Sequence, residues 1–160
     1  MLSSRKTTKS GSRRSDRDPW TFVRNSLAAK AQSVAEIEAK LAARGVTAER
    51  AAAAVEEAVR LGLLDDAELA GQLARGFRTR RYGRRRAMEA LRRRGLAELV
   101  AECAIEAAYG GEDEVELARR ALGSRAVEGE RARRRAVAFL VRRGFASQAA
   151  WRAVRPAEPP

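Results

Sequence analysis

The chain has 160 residues and a formal net charge of +12, with 34% charged and only 5% aromatic residues. That length allows one domain or a short series of modules, with cores built mainly of Ala, Leu and Val. No run approaches the roughly 18 apolar residues of a membrane helix, the polar head has no signal-peptide core, and the lone Cys103 excludes an intrachain disulfide, so a soluble, cytoplasmic protein is expected.

In chain order, residues 1–17 are rich in Ser, Lys and Arg and are expected to be a basic, disordered extension. Asp18-Pro19 suits the N-cap and first position of a helix. Ser33 and Glu36 form a capping box ahead of the apolar stripe Val34, Ile37 and Leu41. The next helix carries Ala51, Val55, Ala58 and Val59 on one face. Asp66-Ala67-Glu68-Leu69-Ala70 has an acidic helix start, echoed by Glu114-Val115-Glu116-Leu117-Ala118. Ala101, Ile105 and Ala108 match the face at Ala51, as Ala150 and Val154 do more loosely. Cys103, among Leu99, Val100 and Ala107, reads as a buried, inert thiol. The prolines stand at 19, 156, 159 and 160. Nothing between Trp20 and Arg155 breaks a helix by proline chemistry, so the chain is expected to be all-α. Residues 156–160 read as a loose tail.

One phrase occurs three times. Leu41-Ala42-Ala43-Arg44-Gly45-Val46 returns as Leu91-Arg92-Arg93-Arg94-Gly95-Leu96 and as Leu140-Val141-Arg142-Arg143-Gly144-Phe145, at offsets of 50 and 49 residues. A fixed period of this size marks a supersecondary unit copied in tandem. If Gly45, Gly95 and Gly144 are left-handed residues just past helix ends, the leucine and the final apolar residue make the contact of a Schellman cap. The chain then divides into three-helix repeats at 18–62, 65–110 and 113–155, expected to form an elongated, curved array.

The charge alternates in blocks: +6 over 1–32, −4 over 33–74, +9 over 75–94, −7 over 95–118 and +9 over 119–155. There is no histidine, the commonest general base and metal ligand. Gly110-Gly111 lacks the Lys-Ser/Thr of a phosphate loop. The acids at 65–66 and 112–114 are explained by helix-start electrostatics. A non-enzyme without cofactor or metal is therefore expected. The candidate binding residues are Arg78, Arg80, Arg81, Arg84, Arg85, Arg86, Arg92 and Arg93, with Arg134, Arg135, Arg142 and Arg143 repeating the theme. With Ala87, Met88 and Leu91 facing inward, Arg85, Arg86, Arg92 and Arg93 point outward. Guanidinium groups pair with carboxylate and phosphate alike, so the cluster suits an acidic protein or a nucleic acid.

The chain resembles the RecX family of regulators of the RecA recombinase. The matching segments are Ser33 to Val46, Gly62-Leu63-Leu64-Asp65-Asp66 with Leu69-Ala70, Arg80 to Leu96, and Phe139 to Phe145. It departs from the family pattern at Leu69, usually aromatic, and at Ala87, usually a larger aliphatic. The resemblance implies tandem three-helix repeats that lie in the groove of the RecA–single-stranded-DNA filament, and a monomer is expected. It implies inhibition of RecA ATPase, strand exchange and coprotease activity in recombination, DNA repair and the SOS response. The alternative is a basic three-helix protein that binds single- or double-stranded DNA, or RNA, directly.

Overall fold

The computed structural model describes residues 18–125 and 127–155. The expected extension 1–17 and tail 156–160 lie outside the described residues. Among the described residues there are nine helices and no strand: α1 (Pro19–Ala29), α2 (Val34–Ala42), α3 (Ala48–Arg60), α4 (Asp66–Thr79), α5 (Arg84–Arg93), α6 (Glu98–Tyr109), α7 (Glu114–Leu122), α8 (Gly129–Arg142) and α9 (Ser147–Ala153). None of them is long and apolar enough to cross a membrane.

Local chemistry sets the helix ends. The Asp18 carboxylate accepts from the N–H groups of Trp20 and Thr21 at the start of α1, and those bonds, chiefly that from Thr21, hold its carboxyl below the ordinary range. Ser33 and Glu36 bond reciprocally, Glu36 N to Ser33 Oγ at 3.1 Å and Ser33 N to Glu36 Oε2 at 3.0 Å. Asp65 and Asp113 cap α4 and α7. The acids that follow them reach other helices: Asp66 accepts from Val34 N at 3.0 Å and Glu114 from Ala146 N at 2.9 Å. The repeated phrase ends α2, α5 and α8. Gly45, Gly95 and Gly144 have φ of +75°, +72° and +92°. Each turn carries both Schellman bonds, Val46 N to Leu41 O, Leu96 N to Leu91 O and Phe145 N to Leu140 O being the longer-range member.

The chain falls into two compact units. The described parts of Met1–Ala31 and Ile37–Leu64 make the first. There α1 packs on α3, with Val23, Ile37, Leu41, Val55, Ala58 and Leu64 buried. The described parts of Gln32–Glu36 and Asp65–Pro160 make the second, which has two cores. One, among α4, α5 and α6, is built on Leu69, Ala74, Ala87, Leu91, Ile105 and Tyr109. The other, among α7, α8 and α9, is built on Val115, Leu122, Val137, Leu140, Phe145 and Val154. Alanines at the contacts let the helix axes approach closely.

Two expectations are corrected. Cys103 is exposed, not buried. The inner face of α6 is Ala101, Ala104, Ile105 and Tyr109, which puts Cys103 and the 71% exposed Leu99 on the opposite face. Val59 is likewise 49% exposed, because α3 turns Ala51, Ala54, Val55 and Ala58 inward instead.

Candidate partner-binding surface

The arginine-rich part of the chain lies wholly in the larger unit. At the end of α4, Arg81 takes φ +60° and is the only non-glycine with positive φ among the described residues. It fills the place glycine holds in the other Schellman turns, with Tyr82 N bonded to Phe77 O and Arg81 N to Arg78 O. Its guanidinium donates to the carbonyl of Arg120 at 3.0 Å. Tyr82, next along, meets the ring of Phe77 edge-on at 5.5 Å, and the Arg143 guanidinium stands 4.5 Å from its centroid.

The start of α5 then lies against the end of α8. Gly83 N donates to Arg143 O at 2.8 Å and Arg85 N to Gly144 O at 3.2 Å. The same relation holds one period earlier within this unit, where Ser33 Oγ donates to Arg94 O at 2.5 Å. At that earlier junction Arg94 pairs with Glu36, both side chains about one-quarter exposed. At the later one a cation–π contact, Arg143 on Tyr82, stands in its place.

Tyr109 anchors the interior beneath this surface. It is fully buried, and its hydroxyl donates to Tyr82 O at 3.0 Å. Burial pushes its phenol up to about 12, against the pull of Arg78, Arg84 and Arg80. Arg84 donates to Tyr109 O at 2.7 Å and to Glu106 at 2.9 Å.

No family model and no curated protein matches the chain. Solved structures do. The crystal structure of RecX from Lactobacillus salivarius superposes with a TM-score of 0.69 at 18% identity, over 82% of this chain and 89% of that one. A second, the crystal structure of a regulatory protein RecX, gives 0.68 at 19% identity, over 82% of this chain and 67% of that one.

The chain has the RecX fold.

On this RecX fold the twelve arginines singled out by sequence do not form one uniform surface. Arg84 is tied to Glu106 and Tyr109, Arg92 to Glu98 through two bonds, and Arg86 to Glu89 at 3.7 Å. Arg78 pairs with Glu112, and Arg134 with Glu130. Arg80 lies over Phe77, Arg81 holds Arg120 O, and Arg143 lies over Tyr82 and Phe139. The remaining four, Arg85, Arg93, Arg135 and Arg142, are exposed and make no ion pair with any described residue. Much of the acidic block over 95–118 is thus engaged inside the chain, by Arg84, Arg92, Arg78, Arg119 and Arg120.

Sequence reasoning missed Glu112 and Tyr109. Glu112 reads as one more acid before a helix start, yet its carboxylate bridges Arg78 and Arg120. Its distance along the chain from Arg78 carries no local signal. Among the described residues no group of three or more His, Cys, Asp or Glu side chains stands together as a metal site.

Proposed function

We propose that this chain is a regulator that binds the RecA filament on single-stranded DNA and acts by binding, with no catalytic step of its own. It bridges adjacent RecA protomers and restrains the motions that ATP turnover needs. That lowers ATPase, strand exchange and coprotease activity in recombination, repair and the SOS response, in the cytoplasm. The observation that carries this reading is the RecX fold with four exposed guanidinium groups, Arg85, Arg93, Arg135 and Arg142, unpaired among the described residues. A guanidinium left in water is available for bidentate pairing with carboxylate or phosphate. The experiment is a comparison of affinity for RecA-coated and naked single-stranded DNA. Much tighter binding to the coated strand is expected, and equal affinity for both overturns the reading.

The second reading, direct binding to DNA or RNA, draws on the same groups and on the net charge of +12. It predicts affinity for the naked strand that falls steeply with salt, with a slope near −0.7 per phosphate contact.

A further inference from the structure

A cleft opens in the larger unit where the end of α4 faces α7. It encloses about 380 Å³, within the range of small-ligand sites and roomy enough for one large apolar side chain with part of its backbone. Its floor is Leu117, Tyr82 and the 1% exposed Phe145, and its rim is Arg78, Arg81 and Arg120.

Three features set this cleft apart from a solvated basic face. First, two of its rim guanidinium groups already hold a carboxylate, because Glu112 bridges Arg78 and Arg120. That side chain is 26% exposed while Arg120 is 56% exposed, so donors remain open to solvent beyond it. Three cations around one acid leave the rim positive. Second, Arg81 keeps a left-handed backbone at the lip, where glycine would complete the turn without strain. Strain kept at one position, beside an open cleft, points to a use for the side chain, which spends one N–H on Arg120 O and keeps its other donors exposed at the lip. Third, the floor is apolar yet offers no stacking platform. Phe77 meets the Tyr82 ring edge-on and Arg143 lies over it, which disfavours a nucleobase.

We propose that this cleft is a docking pocket for an acidic protein segment. It takes one large apolar side chain on Leu117 and Phe145 and a neighbouring carboxylate on Arg81, with Arg78 and Arg120 reinforcing the charge. The proposal names a partner surface for the binding function above and rests on that reading.

The test uses the full chain and a fluorescent capped peptide, Asp-Glu-Phe-Asp-Glu, followed by anisotropy. Two controls accompany it: the same peptide with Ala for Phe, and a short oligothymidylate of equal charge. The native chain is expected to bind the Phe peptide, and the Ala peptide about tenfold more weakly. Thr79→Trp fills the mouth of the cleft, and Arg81→Gly removes the guanidinium while suiting φ +60°. Both variants should lose about tenfold in Phe-peptide affinity, and Arg81→Gly should do so with a thermal midpoint no lower than native. Absence of peptide binding, equal binding of both peptides, or unchanged affinity in both variants overturns the proposal. So does an oligothymidylate that binds more tightly than the peptide and is lost in the same variants. The assay contains neither RecA nor DNA filament. A chain that slows RecA yet ignores the peptide overturns the cleft alone, and one that binds the peptide yet ignores RecA overturns the filament reading alone.

Discussion

Gly83 and Gly144 touch through their backbones: a Cβ built on Gly83 would stand 2.3 Å from the Gly144 carbonyl oxygen. The obstacle is main chain in a bonded junction, since Gly83 N donates to Arg143 O and Arg85 N to Gly144 O. Gly83 itself has φ −76°, ordinary for any residue. Its requirement is therefore purely one of space, and Gly83→Ala is expected to destabilise by about 1–3 kcal/mol. Gly45 is the converse case, with φ +75° and nothing within 4 Å of a built Cβ. Gly45→Ala should cost only the left-handed backbone, about 1 kcal/mol. Urea unfolding of both variants checks the pair, and a Gly83→Ala protein as stable as native contradicts the junction.

The first turn of α2 tests the same packing by a polar route. Ser33 is fully buried, caps Glu36 N and donates to Arg94 O. Ser33→Ala is expected to cost about 1–2 kcal/mol, since it removes a cap and leaves buried groups unpaired. Thr47, the N-cap of α3, makes no side-chain cap bond. Thr47→Ala should change stability by less than about 0.5 kcal/mol. Equal losses for the two serve against this assignment of Ser33.

Tyr109 gives the fold an alkaline limit. Its phenol is raised from 10.0 to about 12 in the folded chain, while the unfolded chain ionises near the ordinary value. The folded state therefore favours the neutral form. Stability from this group is full below pH 10 and is lost as pH rises toward about 12. Tyr109→Phe should lose about 1 kcal/mol near neutrality, through the missing bond to Tyr82 O, and should lack that alkaline decline. Thermal midpoints of both proteins across the window decide it; parallel declines contradict the assignment.

Much of the frame was legible from the sequence. Helix class, the Ser33–Glu36 box and the left-handed glycines follow from local rules, because capping and chirality act within six residues. The site was less legible. Charge runs identify basic residues but not their partners, and ion pairs such as Arg78–Glu112 and Arg84–Glu106 join residues far apart in sequence. Arg84 and Arg85 look alike in the sequence; one is tied to Tyr109 O and Glu106, the other is open. Cys103 is hard to place from sequence because its apolar neighbours Leu99 and Val100 suggest an inner face. In the fold, Ala101, Ala104, Ile105 and Tyr109 make the inner face of α6.

Arg85→Ala, Arg93→Ala and Arg142→Ala combined should leave helicity unchanged and shift stability by less than about 0.5 kcal/mol each, as exposed sites do. Affinity for the RecA–single-stranded-DNA filament should fall by about tenfold or more. Arg84→Ala should instead destabilise the fold, because it removes two internal bonds. Circular dichroism with filament binding separates the two outcomes, and unchanged binding by the triple variant makes those arginines a solvated face only.

The most direct test of the central claim is the steady-state ATPase of RecA on single-stranded DNA, titrated with this protein. A saturable fall in ATP turnover is expected, and the triple arginine variant should largely fail to produce it. Turnover unchanged at concentrations where the native chain coats the naked strand would contradict it, and would leave a nucleic-acid-binding protein in its place.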